Sequence, residues 1–311
     1  MDLFVAGGTG VLGRRIVPRL LADGHAVTVL VRDRSRAGQL AELGAAVVHG
    51  DAFDAERLRA QVIEARPDVV MHQLTDLATG SSSDNARLRI DGTRNLVDAA
   101  LAAGARRIVV QSIAWCYEPG AGPATEATAL DIGTDDPARR VTVDAVRAME
   151  SAAAEVPELV VLRNGALYGP DTWYAADGRI ADAARHRQLT ADLDVTSFVY
   201  VDDAAAAAVQ AVRWPTGTVN IVDDEPARGR DWVPVFCAAL AAPSPSLTDR
   251  QHDWARGASN QAARHLGWAP EHPTWRDRFA FSVGRADVGS RTSAHQLSTS
   301  APGASRPDSW H

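Results

Sequence analysis

Residues 2–21 read DLFVAGGTGVLGRRIVPRLL, and this stretch decides the fold. Asp2 to Ala6 is a short apolar run of strand type, GGTGVLG is a glycine-rich turn, and from Val11 to Leu21 apolar residues recur at helical spacing. Gly7, Gly10 and Gly13 have the spacing GxxGxxG. Gly7 permits a sharp turn off the strand, Gly10 lets backbone approach a pyrophosphate, and Gly13 lets the helix pack close to the sheet. Phosphates would then sit at the helix N-terminus, where unpaired N–H groups and the dipole favour anions. Three glycines alone can be turn chemistry; their place between a strand and a helix points to a dinucleotide held by Gly7, Thr9, Gly10, Val11, Leu12 and Gly13. Pro18 removes a backbone hydrogen bond inside this helix and predicts a kink.

The same alternation continues outward. Strands are expected at Ala26 to Val31, Ala46 to His49, Val69 to His72, Arg107 to Gln111, Leu159 to Leu162 and Thr218 to Val222, with helices at about Asn85 to Ala102 and Ala138 to Glu155. Repeated strand–helix units build a parallel sheet, so the expected fold is α/β: a Rossmann-type doubly wound parallel sheet with a smaller C-terminal substrate-binding lobe. One domain over 1–286 is expected, its nucleotide-binding core mainly 1–170 and 196–224 and its substrate lobe mainly 171–195 and 225–286. The Gly, Pro, Thr and Asp-rich stretch from about Glu118 to Pro137 is too long for a plain connection and reads as a rim of the site. Ser, Thr, Ala, Gly and Pro dominate 287–311, which reads as a disordered tail.

Composition excludes several classes. A net charge of -7 and the lack of a basic stripe argue against nucleic acid, and no apolar run is long enough to span a bilayer. Cys116 and Cys237 are too few for a disulfide framework or zinc knuckle, and no histidine pair has metal-ligand spacing, so no metal is expected. A strand beginning at Asp2 leaves no room for a leader, which suggests the cytoplasm. All 32 basic side chains are arginine, which excludes any mechanism requiring lysine.

Coenzyme choice is read at the end of the second strand. An acidic side chain there grips an NAD ribose, whereas a 2′-phosphate needs a cation. The position reads Val31-Arg32, with Arg34 and Arg36 close behind, and a guanidinium can hold a phosphate through two hydrogen bonds. NADP(H) is the expected coenzyme, held there by Arg32 and Arg36. Asp33 keeps an NAD ribose contact open.

With Gly50-Asp51, His72-Gln73-Leu74-Thr75, Gly92-Thr93-Arg94-Asn95-Leu96, Tyr168-Gly169-Pro170, Val201-Asp202-Asp203 and Leu266-Gly267-Trp268 added to the first turn, the chain resembles the extended short-chain dehydrogenase/reductase family of NAD-dependent epimerase/dehydratase type. The likeness runs over about Asp2 to Pro273. It implies that Asp51 and Ala52 lie by the adenine, and Gln73, Leu74 and Thr75 along the ribose and pyrophosphate.

The resemblance also implies a catalytic Ser or Thr after the fifth strand and a Tyr-x-x-x-Lys on the next helix, where the lysine lowers the tyrosine's pKa. Here Ile113 stands at the hydroxyl position with Ser112 just before it, and Thr142 and Val146, or Val143 and Arg147 one register on, stand at the pair. In this the chain looks similar to actinomycete ketoreductases acting on angucyclinone-type aromatic polyketides that lack the pair. The expectation is an NADPH-dependent ketoreductase in antibiotic biosynthesis, a monomer or homodimer, with the proton supplied by substrate or water. Ser112 and Tyr117 are the candidate catalytic residues, and Trp115, Tyr168 and Trp173 the candidate walls for a flat aromatic ketone. Two alternatives stay open: a non-catalytic NADP(H)-binding regulator and a non-redox dehydratase or isomerase. Asp202 is expected as a helix N-cap.

Overall fold

The computed structural model describes residues 1–75 and 81–283. The expected tail at 287–311 lies outside them.

A seven-stranded, wholly parallel sheet is the frame. Its strands are β1 (Asp2–Ala6), β2 (Ala26–Val31), β3 (Ala46–His49), β4 (Val69–His72), β5 (Arg107–Ile113), β6 (Glu158–Asn164) and Gly217–Ile221. Their spatial order is Gly217–Ile221, β6, β5, β4, β1, β2, β3. The chain runs outward from β1 to β3, then returns to add β4 on the other side of β1, so the topological switch lies between β1 and β4. In open parallel sheets that crevice, at the C-terminal strand ends, is where ligands bind.

Both faces of the sheet are covered, which is why its strands read as nearly continuous apolar runs. Side chains alternate along β1: Leu3 and Val5 enter one core with Ile16, Val17 and Leu20 of α1 (Gly13–Ala22), while Phe4 and Ala6 enter the other with Leu58, Val62, Leu96 and Val97. The short α2 (Ala37–Glu42) leads into β3, and the second face is closed by α3 (Ala55–Ala65), α5 (Thr93–Ala102) and α6 (Pro137–Ala153).

Local signals set the helix starts. Asp54 caps α3 by accepting from the Arg57 N–H, and Asp136 caps α6 by accepting from the Ala138 and Arg139 N–H groups, with Pro137 in the first turn. Pro18 lies inside α1, which continues through it to Ala22. Asp202 is not an N-cap: its helix, Val201–Gln210, is capped at Tyr200, and the Asp202 carboxylate instead accepts from Arg19 of α1 at 2.8 Å. The cross-helix ion pair outcompetes the cap because α1 packs directly on that helix.

The helix expected over Asn85 to Ala102 is three pieces: α4 (Ser82–Arg87), a wider π-helical turn at Leu88–Gly92, and α5. A third apolar cluster, separate from the two sheet cores, gathers Tyr168, Tyr174, Phe198, Tyr200, Trp232, Phe236, Trp275 and Phe279. Its rings meet mostly edge to face, the arrangement their quadrupoles favour. No helix of the described residues is long and apolar enough to cross a membrane.

Candidate active site

The first corner of the sheet is built by close backbone approach. Gly7 has φ +95°, and a Cβ there would lie 2.4 Å from the Gln73 carbonyl oxygen. Gly13 faces the same turn, where a Cβ would lie 2.2 Å from the Gly7 oxygen and 2.5 Å from Gly8 Cα. Only hydrogen fits at either place. Gly10 differs: it is exposed, and a Cβ would meet only the Gly7 oxygen, at 3.2 Å. Thr9 and Val11 beside it are half-buried, and Leu12 is buried in the core.

Across the crevice, the Gln73 N–H donates to the Ala6 carbonyl and ties the end of β4 to the end of β1. The Gln73 side chain is buried, yet neither its amide oxygen nor its amide nitrogen has a hydrogen-bond partner among the described residues. An unsatisfied buried amide is costly, so a polar ligand alongside it is favoured. Leu74 and Thr75 follow, half-buried. The Asp51 carboxylate accepts from the Phe53 N–H, and Asn95 of α5 donates to the Ala52 carbonyl, fixing the loop after β3. These donors and the open glycine corner fit a dinucleotide.

At the end of β2, Arg32 and Arg36 are exposed. Asp33 is turned onto its own loop, where its carboxylate accepts from the Ser35 N–H at 2.9 Å; that bond holds it below its usual pKa. The acid is thus already partnered, while no hydrogen bond or ion pair among the described residues engages the Arg32 guanidinium.

His72, at the end of β4, is fully buried. Its Nδ1 accepts from the Leu74 N–H, so the proton sits on Nε2, which donates to Thr93 Oγ1 at 2.7 Å. Burial pushes its pKa down to about 4 and keeps it neutral.

The hydroxyls expected to act as proton donors are both buried and partnered. Ser112 Oγ donates to Glu150 at 2.7 Å, and Glu150 is held in turn by a bidentate pair with Arg163 of β6. Tyr117 donates to Asn220 Oδ1, and its ring packs beneath the Arg163 guanidinium at 4.8 Å. Burial raises the Tyr117 pKa to about 12, the opposite of what an activated phenol requires. From α6, Val143 and Val146 pack on Cys116, Thr142 is half-buried, and Arg147 points outward to Asp144.

The expected aromatic walls separate. Trp115 is half-buried, 6.3 Å from Trp254, with the Arg139 guanidinium over both rings. Trp173 is also half-buried, beneath Arg179. Tyr168 is fully enclosed among Phe198, Tyr200 and Phe279, and its hydroxyl donates to the Thr274 carbonyl. A ring with neighbours all round packs the core and offers no face to a ligand.

Sequence reasoning did not find the buried ion pairs. Arg139 bonds Asp131 and the Trp115 and Tyr117 carbonyls, stapling the long loop after β5 to α6. Neither Arg139 nor Arg163 differs in local context from surface arginines. Among the described residues no cluster of three or more His, Cys, Asp or Glu could hold a metal.

The model of the NAD dependent epimerase/dehydratase family matches residues 3–222. The chain belongs to that family. Among curated relatives of this epimerase/dehydratase-family protein is a 3-diazoavenalumate denitrifying reductase from Streptomyces sp, 43% identical over 304 residues, covering 89% of this chain and 98% of the relative. A ceramide reductase from Caulobacter vibrioides is 28% identical over 76% of this chain and 68% of its own length. In fold, the chain is similar to the UDP-glucose 4-epimerase of Thermus thermophilus in complex with NAD, with TM-score 0.70 and 21% identity over 91% of this chain and 98% of that one. The UDP-Glc/GlcNAc 4-epimerase of Campylobacter jejuni gives TM-score 0.71 at 15% identity, with 91% and 98% covered. The family is nicotinamide-dinucleotide dependent, and the relatives include reductases as well as epimerases.

Proposed function

We propose that the protein is an NADP(H)-dependent reductase of specialised metabolism whose substrate is an electrophile that needs no proton from the enzyme, namely an aromatic diazo compound. The observation that carries this reading is a dinucleotide corner near two candidate proton donors that are both spoken for, Ser112 by Glu150 and Tyr117 by Asn220, in a chain without lysine. Support comes from the 43% relative, whose name describes reductive removal of nitrogen from a diazo compound.

When bound, the reduced nicotinamide supplies a hydride. Replacing the two nitrogens of an arenediazonium ion by hydrogen takes up that hydride, breaks the C–N bond and releases dinitrogen; atoms and charge balance with no proton added. Reduction of a ketone leaves an alkoxide instead, and loss of its general acid forfeits about 10²- to 10⁴-fold in rate. The residues present suit the first task. Gly7 to Gly13 and the Gln73 amide hold the coenzyme, Arg32 and Arg36 meet its 2′-phosphate, and Asp51 and Ala52 border its adenine. Ser112 and Tyr117 hold the surrounding side chains in place through Glu150 and Asn220.

The test is single-turnover reduction of 4-hydroxybenzenediazonium with [4,4-²H₂]NADPH. The expected result is release of dinitrogen and deuterium in the new arene C–H bond, with Ser112→Ala and Tyr117→Phe within about threefold of the parent. Retention of both nitrogens in the product, or arene hydrogen drawn from solvent D₂O, overturns the reading. An aromatic ketone as the true substrate would show itself in the same assay as alcohol formation with at least a hundredfold loss in one of those two variants.

A further inference from the structure

The π-helical turn Leu88–Gly92 carries Arg89, which is 7% exposed and makes no hydrogen bond or ion pair among the described residues. Every other deeply buried arginine is matched: Arg139 with Asp131 and Arg163 with Glu150. An isolated buried cation is costly and persists only if something repays it.

Its position is set from three sides. The turn runs into Thr93, whose Oγ1 accepts from His72 at the end of β4, and it packs on α6, which carries Glu150, so Arg89 stands beside the carboxyl end of β4 and its charge acts on His72, Cys116 and Glu150. Among the described residues, the groups facing it carry no spare negative charge. His72 is neutral, and burial raises the Cys116 thiol to about 12. Glu150 is spent on Ser112 and Arg163. Around Cys116 three guanidiniums, Arg89, Arg139 and Arg163, are therefore set against two carboxylates, Glu150 and Asp131. Among the described residues one positive charge is left over. Desolvation lowers the Arg89 pKa, but a guanidinium starts so high that it remains charged. The turn that presents it is itself unusual, since π-helical turns re-aim side chains and recur at functional sites.

We propose that Arg89 is the substrate-recognition residue of this site and binds a carboxylate on an aromatic substrate through its planar fork. The inference deepens the reductase reading, and rests on it for the identity of the crevice as the substrate pocket. A carboxylate restores neutrality and takes two parallel hydrogen bonds from a guanidinium. The coenzyme's phosphates have their own cradle after β1, and its 2′-phosphate has Arg32.

Calorimetric titration of the NADP⁺-loaded protein with 4-hydroxycinnamate and with 4-hydroxycinnamamide tests this. The acid is expected to bind at least tenfold tighter than the amide. Arg89→Met should erase that preference while leaving NADP⁺ affinity within about twofold, and Arg89→Lys should restore part of it. Methionine has similar length and no charge to bury, so the variant is expected to fold, with its melting curve as the check. Equal binding of acid and amide by the parent protein, no binding of the acid, or an undiminished preference in Arg89→Met overturns the proposal. A tenfold loss of NADP⁺ affinity in Arg89→Met, with the acid unaffected, would assign the guanidinium to the coenzyme and also overturn it. If acid selectivity holds but no diazonium is reduced, the reaction has been misread and the carboxylate site stands.

Discussion

Substituting Gly13 and Gly10 separately should divide one glycine turn into a packing function and a binding function. In Gly13→Ala the new Cβ would lie 2.2 Å from the Gly7 oxygen, 2.5 Å from Gly8 Cα and 2.6 Å from the Gly8 carbonyl carbon. All three are backbone atoms of the turn, so no side chain can rotate away and α1 must move off the sheet. Overpacking typically costs about 1–3 kcal/mol; with three backbone collisions at once the top of that range, about 3 kcal/mol, is expected. In Gly10→Ala the new methyl would meet one atom at 3.2 Å and otherwise face the open crevice, so stability should change by under about 1 kcal/mol. That methyl stands where a pyrophosphate must approach the backbone, and the Kd for NADPH should rise at least thirtyfold, about 2 kcal/mol. Chemical denaturation gives the first quantity and calorimetry the second. Equal destabilisation by the two variants, or full NADPH affinity in Gly10→Ala, refutes the division.

Three further outcomes are expected. Arg32→Asp should cut a preference for NADPH over NADH by at least tenfold in a fluorescence titration; an unchanged ratio would move the 2′-phosphate contact elsewhere. Asp223 is buried, and desolvation, reinforced by Glu225 and Asp224, raises its pKa to about 8. Because the folded protein then holds a proton that the unfolded chain loses near pH 4, this group's contribution to stability declines as pH rises from about 4 to about 8, and Asp223→Asn should flatten that stretch of the Tm–pH profile. Glu150→Gln removes the counter-ion of the buried Arg163 and the acceptor of Ser112, and should cost about 3–5 kcal/mol by urea unfolding, whereas a loss below about 1 kcal/mol would mean that water reaches the pair.

The strands, the glycine corner and the family were legible in the chain because they rest on local chemistry. Alternation of apolar runs is a property of neighbours in sequence, and a turn that tolerates only hydrogen at Gly7 and Gly13 has to be written as glycine. The glycine corner at the end of β1 was therefore readable at Gly7 and Gly13. The partners of several other side chains were not. Tyr168 looked like a wall and is core, Asp202 looked like a cap and pairs with α1, and Ser112 looked like a spare hydroxyl and is spent on Glu150.

Each of those outcomes turns on a partner far away in the chain: Phe279 for Tyr168, Arg19 for Asp202, Glu150 and Arg163 for Ser112. With 32 arginines and no lysine, composition could say which mechanism was absent. Which buried guanidiniums are neutralised and which is left without a counter-ion depends on distances between elements, since a charge is compensated in space and not in sequence. Only the packing of the π-helical turn at Leu88–Gly92 against α4, α5 and α6 decided that Arg89 is, among the described residues, the buried guanidinium left over.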